Sequence, residues 1–276
     1  MEKNDIFAEL AGFGLSKVAD EKKDVYESED KPAPKPKVIE KSAEEFRIDD
    51  YIYSKKFHCP VCEVDFETYV TKDSKLRRVT TEYDLRPVYA PIEPMLYDVI
   101  VCDKCGYAAY RESFNVIGAL HAKRILDEIT PNFKPTPYPK EPTIDEAITR
   151  HKLVLLNAIV KKAKDGERAY VCMKLTWLYR IKEDAENEKT FARLACEGFT
   201  KALAEEHSPP AGLPETTVLY LIASFSVFLE DYARAVRVLS DIIISPKTSK
   251  GMKERAMNLK DELRERRGNE KGDGEI

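Results

Sequence analysis

Four cysteines, arranged as two closely spaced pairs, are the residues of this sequence best suited to specific chemistry. Two residues separate Cys59 from Cys62, and after 39 intervening residues Cys102 and Cys105 repeat that spacing. This spacing lets both sulfurs of a tight turn point at one ion, and two such turns supply a tetrahedral shell of four thiolates. The pattern therefore predicts a metal site, with structural Zn²⁺ as the expected occupant and iron as the alternative.

The surroundings of the cysteines favour a closed structural site over a redox or catalytic one. Two pairs together, outside any βαβ pattern, are not typical of a redox dithiol. A catalytic zinc needs an open coordination position, and four thiolates leave none. His58 adjoins Cys59, but adjacent residues rarely both bind one ion, so we expect it to be a bystander. Gly106 should leave the second turn in a left-handed conformation, and Glu63 holds the equivalent place after the first.

Composition excludes several classes of protein. The chain has 276 residues, with 45 basic and 49 acidic side chains and a net charge of −4, so bulk charge does not favour a nucleic-acid or anionic-membrane partner. No stretch approaches the ~20 apolar residues that span a bilayer, and the first residues lack the features of a signal peptide. We expect a cytoplasmic protein without a membrane partner, in which paired cysteines bind metal rather than form disulfides.

Sequence patterns divide the chain into five parts. We predict a charged, disordered tail, a zinc-ribbon-like β module, a proline-rich linker, a helical domain and a frayed end, at residues 1–48, 49–130, 131–142, 143–267 and 268–276. Within the tail, an apolar stripe would form on a short helix; it comprises Ile6, Phe7, Leu10 and Phe13. This stripe is either a transient helix or a peptide that docks onto this chain or onto another.

The β module shows short runs of β-branched and aromatic residues that several prolines interrupt. Strands are predicted at residues 67–71, 76–81, 86–89 and 97–101, and the prolines predict a small, irregular sheet. A helix is predicted over 113–129, with Ile117, Leu120, Arg124 and Asp127 at helical spacing and Pro131 as its stop.

The rest of the chain has helical periodicity. Thr143 and Glu146 form a capping-box pair that begins the first helix, and Gly166 is predicted to cap its end. Asp231 and Ser249 are predicted to cap later helices. One helical hairpin fits a tetratricopeptide template at Leu219, Ile222, Ala223, Tyr232, Ala235 and Leu239. The predicted fold is therefore α+β, a small zinc-ribbon-like β module followed by an all-α, tetratricopeptide-like stack of helical hairpins, unless these helices only pack a globular lobe.

Motifs of catalysis are missing from the sequence. It contains no phosphate-binding glycine loop, no G-x-S-x-G elbow, no H-E-x-x-H and no dinucleotide fingerprint. Three basic residues between the cysteine pairs, Lys75, Arg77 and Arg78, could contact nucleic acid. Acidic residues outnumber basic ones in this insert, which favours a solvated hairpin instead.

Several motifs together resemble a bacterial family known as domain of unknown function 2225. They are Phe57-His-Cys-Pro-Val-Cys62, Tyr83-Asp-Leu-Arg-Pro-Val-Tyr89 and Pro94-Met-Leu-Tyr-Asp-Val-Ile-Val-Cys-Asp-Lys-Cys-Gly-Tyr-Ala108. The resemblance covers residues 50 to 265, and its more specific positions are Asp84, Arg86, Tyr89 and Tyr97. It implies a bacterial, cytoplasmic protein with a zinc-ribbon-like head and a helical-repeat tail, and it implies no activity.

Three functions remain open from the sequence. The first hypothesis is a non-enzymatic, zinc-binding adaptor whose helical groove binds a protein partner. The second is a nucleic-acid-binding ribbon that uses Lys75, Arg77 and Arg78. The third is an enzyme with a site between head and tail, near the cleft residues Asp84, Arg86, Tyr89 and Tyr97.

Overall fold

Three β-hairpins precede a series of α-helices in the computed structural model, which describes the backbone of residues 46–272 and the side chains of residues 46–265. The strands are β1 Ile52–His58, β2 Asp65–Thr71, β3 Arg77–Thr81, β4 Pro87–Ala90, β5 Val99–Val101 and β6 Ala108–Tyr110. The helices are α1 Ala119–Glu128, α2 Ile144–Val160, α3 Asp165–Ile181, α4 Ala185–Glu205, α5 Glu215–Phe228, α6 Tyr232–Ile244 and α7 Lys250–Gly272. Of the described helices, none is long and apolar enough to cross a membrane. The predicted α+β fold, with a zinc-ribbon-like head and a helical stack, is confirmed.

The head consists of three separate two-stranded antiparallel sheets, β1–β2, β3–β4 and β5–β6. The four predicted strand segments correspond to β2, β3, β4 and β5. The strands β1 and β6, which pair with two of them, were missed. Because β6 has three residues and β1 is exposed over most of its length, neither carries the alternation by which a strand is recognised. The docking stripe of Ile6, Phe7, Leu10 and Phe13 lies outside the described residues.

Aromatic side chains form the core of the head. Phe114 is fully buried and packs against Tyr107, with ring centroids 5.0 Å apart, and edge-on against Phe57 and Phe66. Ile125 of α1 is buried in the same cluster as the cysteines. The head therefore has a small apolar core that lies directly against its sulfur atoms.

The helix predicted over 113–129 begins later than its periodicity indicated. The structure has turns at 110–116 and starts α1 at Ala119, with Gly118 as the N-cap. Phe114 supplies the reason, because burying its ring in the head core holds the chain in a turn. Of the four residues predicted at helical spacing, Ile117 precedes the helix, and Leu120 is 62% exposed.

The helices from α2 onward pack consecutively as antiparallel neighbours, and α7 also contacts α5. The capping box of Thr143 and Glu146 is confirmed at the start of α2. Asp231 accepts a hydrogen bond from the backbone N–H of Arg234, and Ser249 accepts one from that of Met252. The caps set where these helices begin, and burial of their apolar faces supplies most of their stability.

Gly166 was predicted to cap the end of α2, and this prediction was wrong. The residue lies within the first turn of α3. The chain turns earlier, at Lys162, which has a φ of 56°. A Cβ at residue 166 would lie 2.7 Å from Cβ of Pro210. Glycine is therefore required at position 166 because the loop before α5 packs closely against the backbone there.

The head packs directly on the helical stack, and the described residues from Arg47 onward belong to one compact unit. Met95, Val99 and Ala108 of the head share a buried cluster with side chains of α2 to α5. The proline-rich segment is also fixed to the head, since Tyr138 donates a hydrogen bond to the carbonyl of Leu96 at 2.5 Å. The bounds predicted for separate head and tail domains stay a prediction.

Candidate metal centre

The two cysteine pairs lie in the turns of two different hairpins. The first turn joins β1 to β2 and the second joins β5 to β6. In each turn the carbonyl of the first cysteine accepts a hydrogen bond from the backbone N–H four positions later. Glu63 donates to Cys59 at 2.9 Å, and Gly106 donates to Cys102 at 3.1 Å. The two turns are therefore equivalent in backbone structure.

A left-handed residue closes each turn, as expected from the sequence. The φ of Gly106 is 75° and that of Glu63 is 59°. At residue 106 a side chain is also excluded, because a Cβ would lie 2.6 Å from Cγ of Phe133. The second turn thus needs glycine for its backbone conformation and for its packing.

The four sulfur atoms converge, although 39 residues of chain separate the two pairs. Cys59 Sγ lies 3.6 Å from Cys105 Sγ, and Cys62 Sγ lies 3.6 Å from Cys102 Sγ. All four sulfurs lie within 4.8 Å of one another. A tetrahedron with Zn–S bonds of about 2.3 Å has S–S edges of about 3.8 Å. The sulfur positions therefore fit one tetrahedral ion, and the four cysteines could hold a metal.

Hydrogen bonding within the buried cysteine cluster favours the form of Cys102 that binds a cation. Three of the four cysteines are buried and Cys62 is half-buried. Hydrogen bonds from the Cys105 and Cys59 thiols lower the pKa of Cys102, and the bond to Cys102 raises the pKa of Cys59. The cluster therefore favours at least one thiolate, which is the form that binds metal.

Side chains from α2 and from the turn after α1 hold the second turn in place. Asn157 of α2 donates a hydrogen bond from Nδ2 to the carbonyl of Gly106 at 3.1 Å. Thr130 donates one from Oγ1 to the carbonyl of Cys105 at 2.9 Å. These contacts fix the carbonyl groups of the turn, so its sulfur atoms keep their direction.

His58 does not face the sulfur cluster. Its ring nitrogens lie 2.7 Å from a carboxylate oxygen of Asp65 and 2.8 Å from one of Glu63. Both carboxylates are exposed, and the hydrogen bonds to them, first that of Glu63, raise the pKa of His58. This geometry agrees with the bystander role expected for the residue.

The three basic residues suggested for nucleic acid lie on the β3–β4 ribbon or just before it. Lys75, Arg77 and Arg78 are all exposed, and none of them forms an ion pair with a described residue. The metal cluster does not include them. The structure therefore presents a small group of free cations on an exposed ribbon.

Asp84, at the tip of the same ribbon, is fully buried against the helices. Its Oδ2 accepts a hydrogen bond from Trp177 Nε1 at 3.0 Å and an ion-paired one from Arg180 Nη2 at 2.8 Å. Both partners belong to α3. The next residue, Leu85, packs against two buried clusters to which the helices contribute most side chains. Asp84 is therefore placed to anchor the head to the stack, with no exposed surface for a substrate.

The other three cleft residues lie in different environments. Arg86 is buried and forms ion pairs with Glu82 and Glu93, while Tyr97 donates a hydrogen bond to the carbonyl of Lys140 at 3.0 Å. Tyr89 is half-buried in β4 and lines a cavity of about 430 Å³. Asp84, Arg86 and Tyr97 do not line that cavity, so the structure does not bring the four together around one space.

Sequence reasoning missed the residues that join the two parts of the molecule. Arg180 and Trp177 are 96 and 93 positions from their partner Asp84. Lys174 of α3 similarly pairs with Asp98 at 3.0 Å, 76 positions away. A basic or aromatic residue in a helix is common, so no sequence signal could have identified these pairs.

Comparison with known proteins agrees with the resemblance seen in the motifs. Residues 52–267 match the profile of a family described as "Uncharacterized protein conserved in bacteria (DUF2225)". An uncharacterized protein of Borreliella burgdorferi is 35% identical over 75 residues, which is 24% of this chain and 27% of that relative. The chain thus spans about a quarter of the length of this curated relative. No solved structure matches the chain.

Proposed function

The chain belongs to the bacterial DUF2225 family, and we propose that it is a non-enzymatic adaptor built around a structural Zn²⁺. The ion is bound by Cys59, Cys62, Cys102 and Cys105, and the helical stack binds a protein partner. The observation that carries this proposal is the closed shell of four sulfur atoms next to a stack of helices.

Zinc is proposed because the shell leaves no position for a substrate or a reactive water. Four thiolates complete a tetrahedral site, which is the arrangement of structural zinc. Iron also accepts such a shell. The two turns differ, however, since Glu63 stands where the second turn has Gly106, and a pair of glycines would be more typical of an iron knuckle.

The helical stack supports the second half of the proposal. Consecutive antiparallel helices form extended surfaces on which peptides or helices bind. The tip of the β3–β4 ribbon already covers part of α3 through Asp84 and part of α5 through the carbonyl of Tyr83, to which Ser224 donates a hydrogen bond. The partner must therefore bind to another part of the stack.

The adaptor proposal is tested with the full chain, because the head shares a buried core with the helices and a helical fragment would expose that core. The metal-loaded chain is immobilised on a resin and exposed to a bacterial lysate that has been treated with nuclease. We expect it to retain a protein. That protein, once purified, should bind the chain again, saturably and at a fixed stoichiometry. An unrelated acidic zinc protein serves as the control. Failure to obtain such a partner, or its loss on nuclease treatment, would contradict the proposal.

Nucleic-acid binding is a second candidate, favoured by the free cations of Lys75, Arg77 and Arg78. Neutralising all three as Lys75→Gln, Arg77→Gln and Arg78→Gln should weaken binding to single-stranded RNA or DNA and reduce the slope of log K against log[salt] by about 2 to 3, because each phosphate contact adds roughly 0.7 to 0.9. Fluorescence anisotropy at several salt concentrations measures this slope. The matched variant Lys123→Gln, on α1, should have no effect. An unchanged slope in the triple variant would exclude this surface.

A further inference from the structure

A groove of about 570 Å³ lies between the proline-rich segment and α2. One wall is the extended chain at 133–138, and the other is a face of the helix. Most of the exposed surface of the groove is apolar, and the apolar and aromatic residues that line it are Val101, Phe133, Pro137, Tyr138, Leu153 and Leu156. Leu156 is 48% exposed. The groove is therefore an accessible apolar surface of the size that binding sites have.

One cation in this groove has no counter-charge. The guanidinium of Arg150 lies over the ring of Tyr138 at 3.6 Å and donates one long hydrogen bond, to the carbonyl of Val99 at 3.4 Å. Among the described residues no carboxylate pairs with it. Burial lowers the pKa of Arg150, and the neighbouring Tyr138 hydroxyl offsets part of this effect, as expected for a charge that is removed from water without a carboxylate partner. A guanidinium has five N–H donors, and the bond to Val99 uses one of them.

The two acidic residues of the groove are already engaged elsewhere. Asp145 pairs with Lys182 at 2.6 Å, and Glu146 accepts the capping hydrogen bonds of Thr143. Lys134 and Lys152 add further positive charge at the margin of the groove. The three cations Lys134, Arg150 and Lys152 outnumber the carboxylate of Glu146, which no described cation pairs with, so the net charge is positive and an anionic group is the complement.

The extended wall favours a peptide over a small organic anion. The backbone N–H groups of Lys134, Thr136 and Tyr138 donate no hydrogen bond to any described residue, and they alternate with prolines along the segment. An extended peptide can bond to such a row of donors while its side chains enter an apolar groove.

We propose that this groove binds an extended segment of a partner protein, in which an Asp or Glu side chain pairs with Arg150 and the adjacent apolar side chains pack on Tyr138, Leu153 and Leu156. This inference rests on the proposed adaptor function and names its binding surface. A bidentate carboxylate bond to Arg150 supplies orientation, and the apolar contacts supply affinity.

A library of random twelve-residue peptides displayed on phage, selected on the full metal-loaded chain, tests the inference. We expect the enriched peptides to carry Asp or Glu flanked by large apolar residues. The best of them, synthesised with a fluorescent label, should bind at least tenfold more weakly to Arg150→Gln and to Leu156→Glu. Replacing the acidic residue of the peptide with Gln should weaken its binding to the unaltered chain. The same replacement should have a smaller effect on binding to Arg150→Gln, which lacks the proposed partner of that residue.

The matched control is Met257→Glu on α7, whose side chain is 44% exposed and lies outside the groove. It should bind the peptide as the unaltered chain does. Because Leu156 is a surface residue, its variant tests the groove even if the Arg150 variant fails to fold.

Three outcomes would overturn the inference. The first is that Leu156→Glu binds the peptide as well as the unaltered chain does. The second is that the selection enriches no peptides, or only peptides without acidic residues. The third is that no peptide binds, while decanoate, a small organic anion with an apolar chain, binds in a way that depends on Arg150. A partner that binds the chain but also binds Leu156→Glu would leave the adaptor function intact and exclude this groove. Absence of any protein partner, while peptides still bind at Arg150, would contradict the adaptor function alone.

Discussion

The variant Cys102→Ser is expected to lose its bound metal and to unfold at a temperature lower by roughly 10 °C or more. Structural zinc contributes several kcal/mol of folding free energy, and each kcal/mol corresponds to about 2–4 °C in a unit of this size. The sulfur shell lies against the small aromatic core of the head, so losing the ion removes support from both. Calorimetry measures the transition, and elemental analysis should find about one zinc per unaltered chain.

The control for this experiment is Cys172→Ala, which alters a buried cysteine of α3 that lies outside the sulfur cluster. It should keep one zinc, and its transition should shift much less. A strong chelator should lower the transition of the unaltered chain and leave that of Cys102→Ser nearly unchanged. Full metal content and normal stability in Cys102→Ser would contradict a four-cysteine site, and a coloured iron protein would contradict the assignment of zinc.

Removing the carboxylate of Asp84 should destabilise the protein by about 3–5 kcal/mol, because breaking a buried ion pair leaves its partner charge uncompensated. Asp84 is 0% exposed, and Arg180 and Trp177 both donate hydrogen bonds to it. The expected result for Asp84→Ala is a large fall in the free energy of unfolding, measured in urea, with no loss of zinc. A catalytic role would instead predict normal stability.

Comparison with an exposed pair shows whether burial is the cause. Asp127→Ala removes an exposed carboxylate that pairs with Lys123 on α1, and it should cost at most about 1 kcal/mol. In a double-mutant cycle, Asp84→Ala and Arg180→Met should show a coupling energy of about 0.5–3 kcal/mol, because the two side chains are in contact. Additive effects would mean that the Asp84–Arg180 pair does not fix the ribbon to the helices.

The features that the sequence predicted correctly depend on neighbouring residues. The cysteine turns follow from a two-residue spacing, and the capping box of Thr143 and Glu146 follows from a three-residue one. Helical periodicity in the second half of the chain is strong because each helix buries a long apolar face. Such local patterns are readable without knowing where the chain goes next.

The errors and omissions arise where distant parts of the chain meet. Gly166 resembles a C-cap, yet it is explained by the approach of Pro210, 44 positions along the chain. The late start of α1 depends on the burial of Phe114 among rings from two hairpins. The roles of Asp84 and Arg180 likewise depend on a contact across 96 positions. Tertiary packing decides these cases, and it leaves no periodic trace in the sequence.

The segment between the cysteine pairs is fixed at three places, which are the two sulfur-bearing turns and the buried tip at Asp84. Turning the head about the helices would require that buried ion pair to break, so the two parts keep a constant orientation. The exposed cations of the ribbon and the groove beside α2 are therefore held at an invariant separation. A molecule that touches both must have the matching length, and the protein can thus discriminate between ligands by their reach as well as by their chemistry.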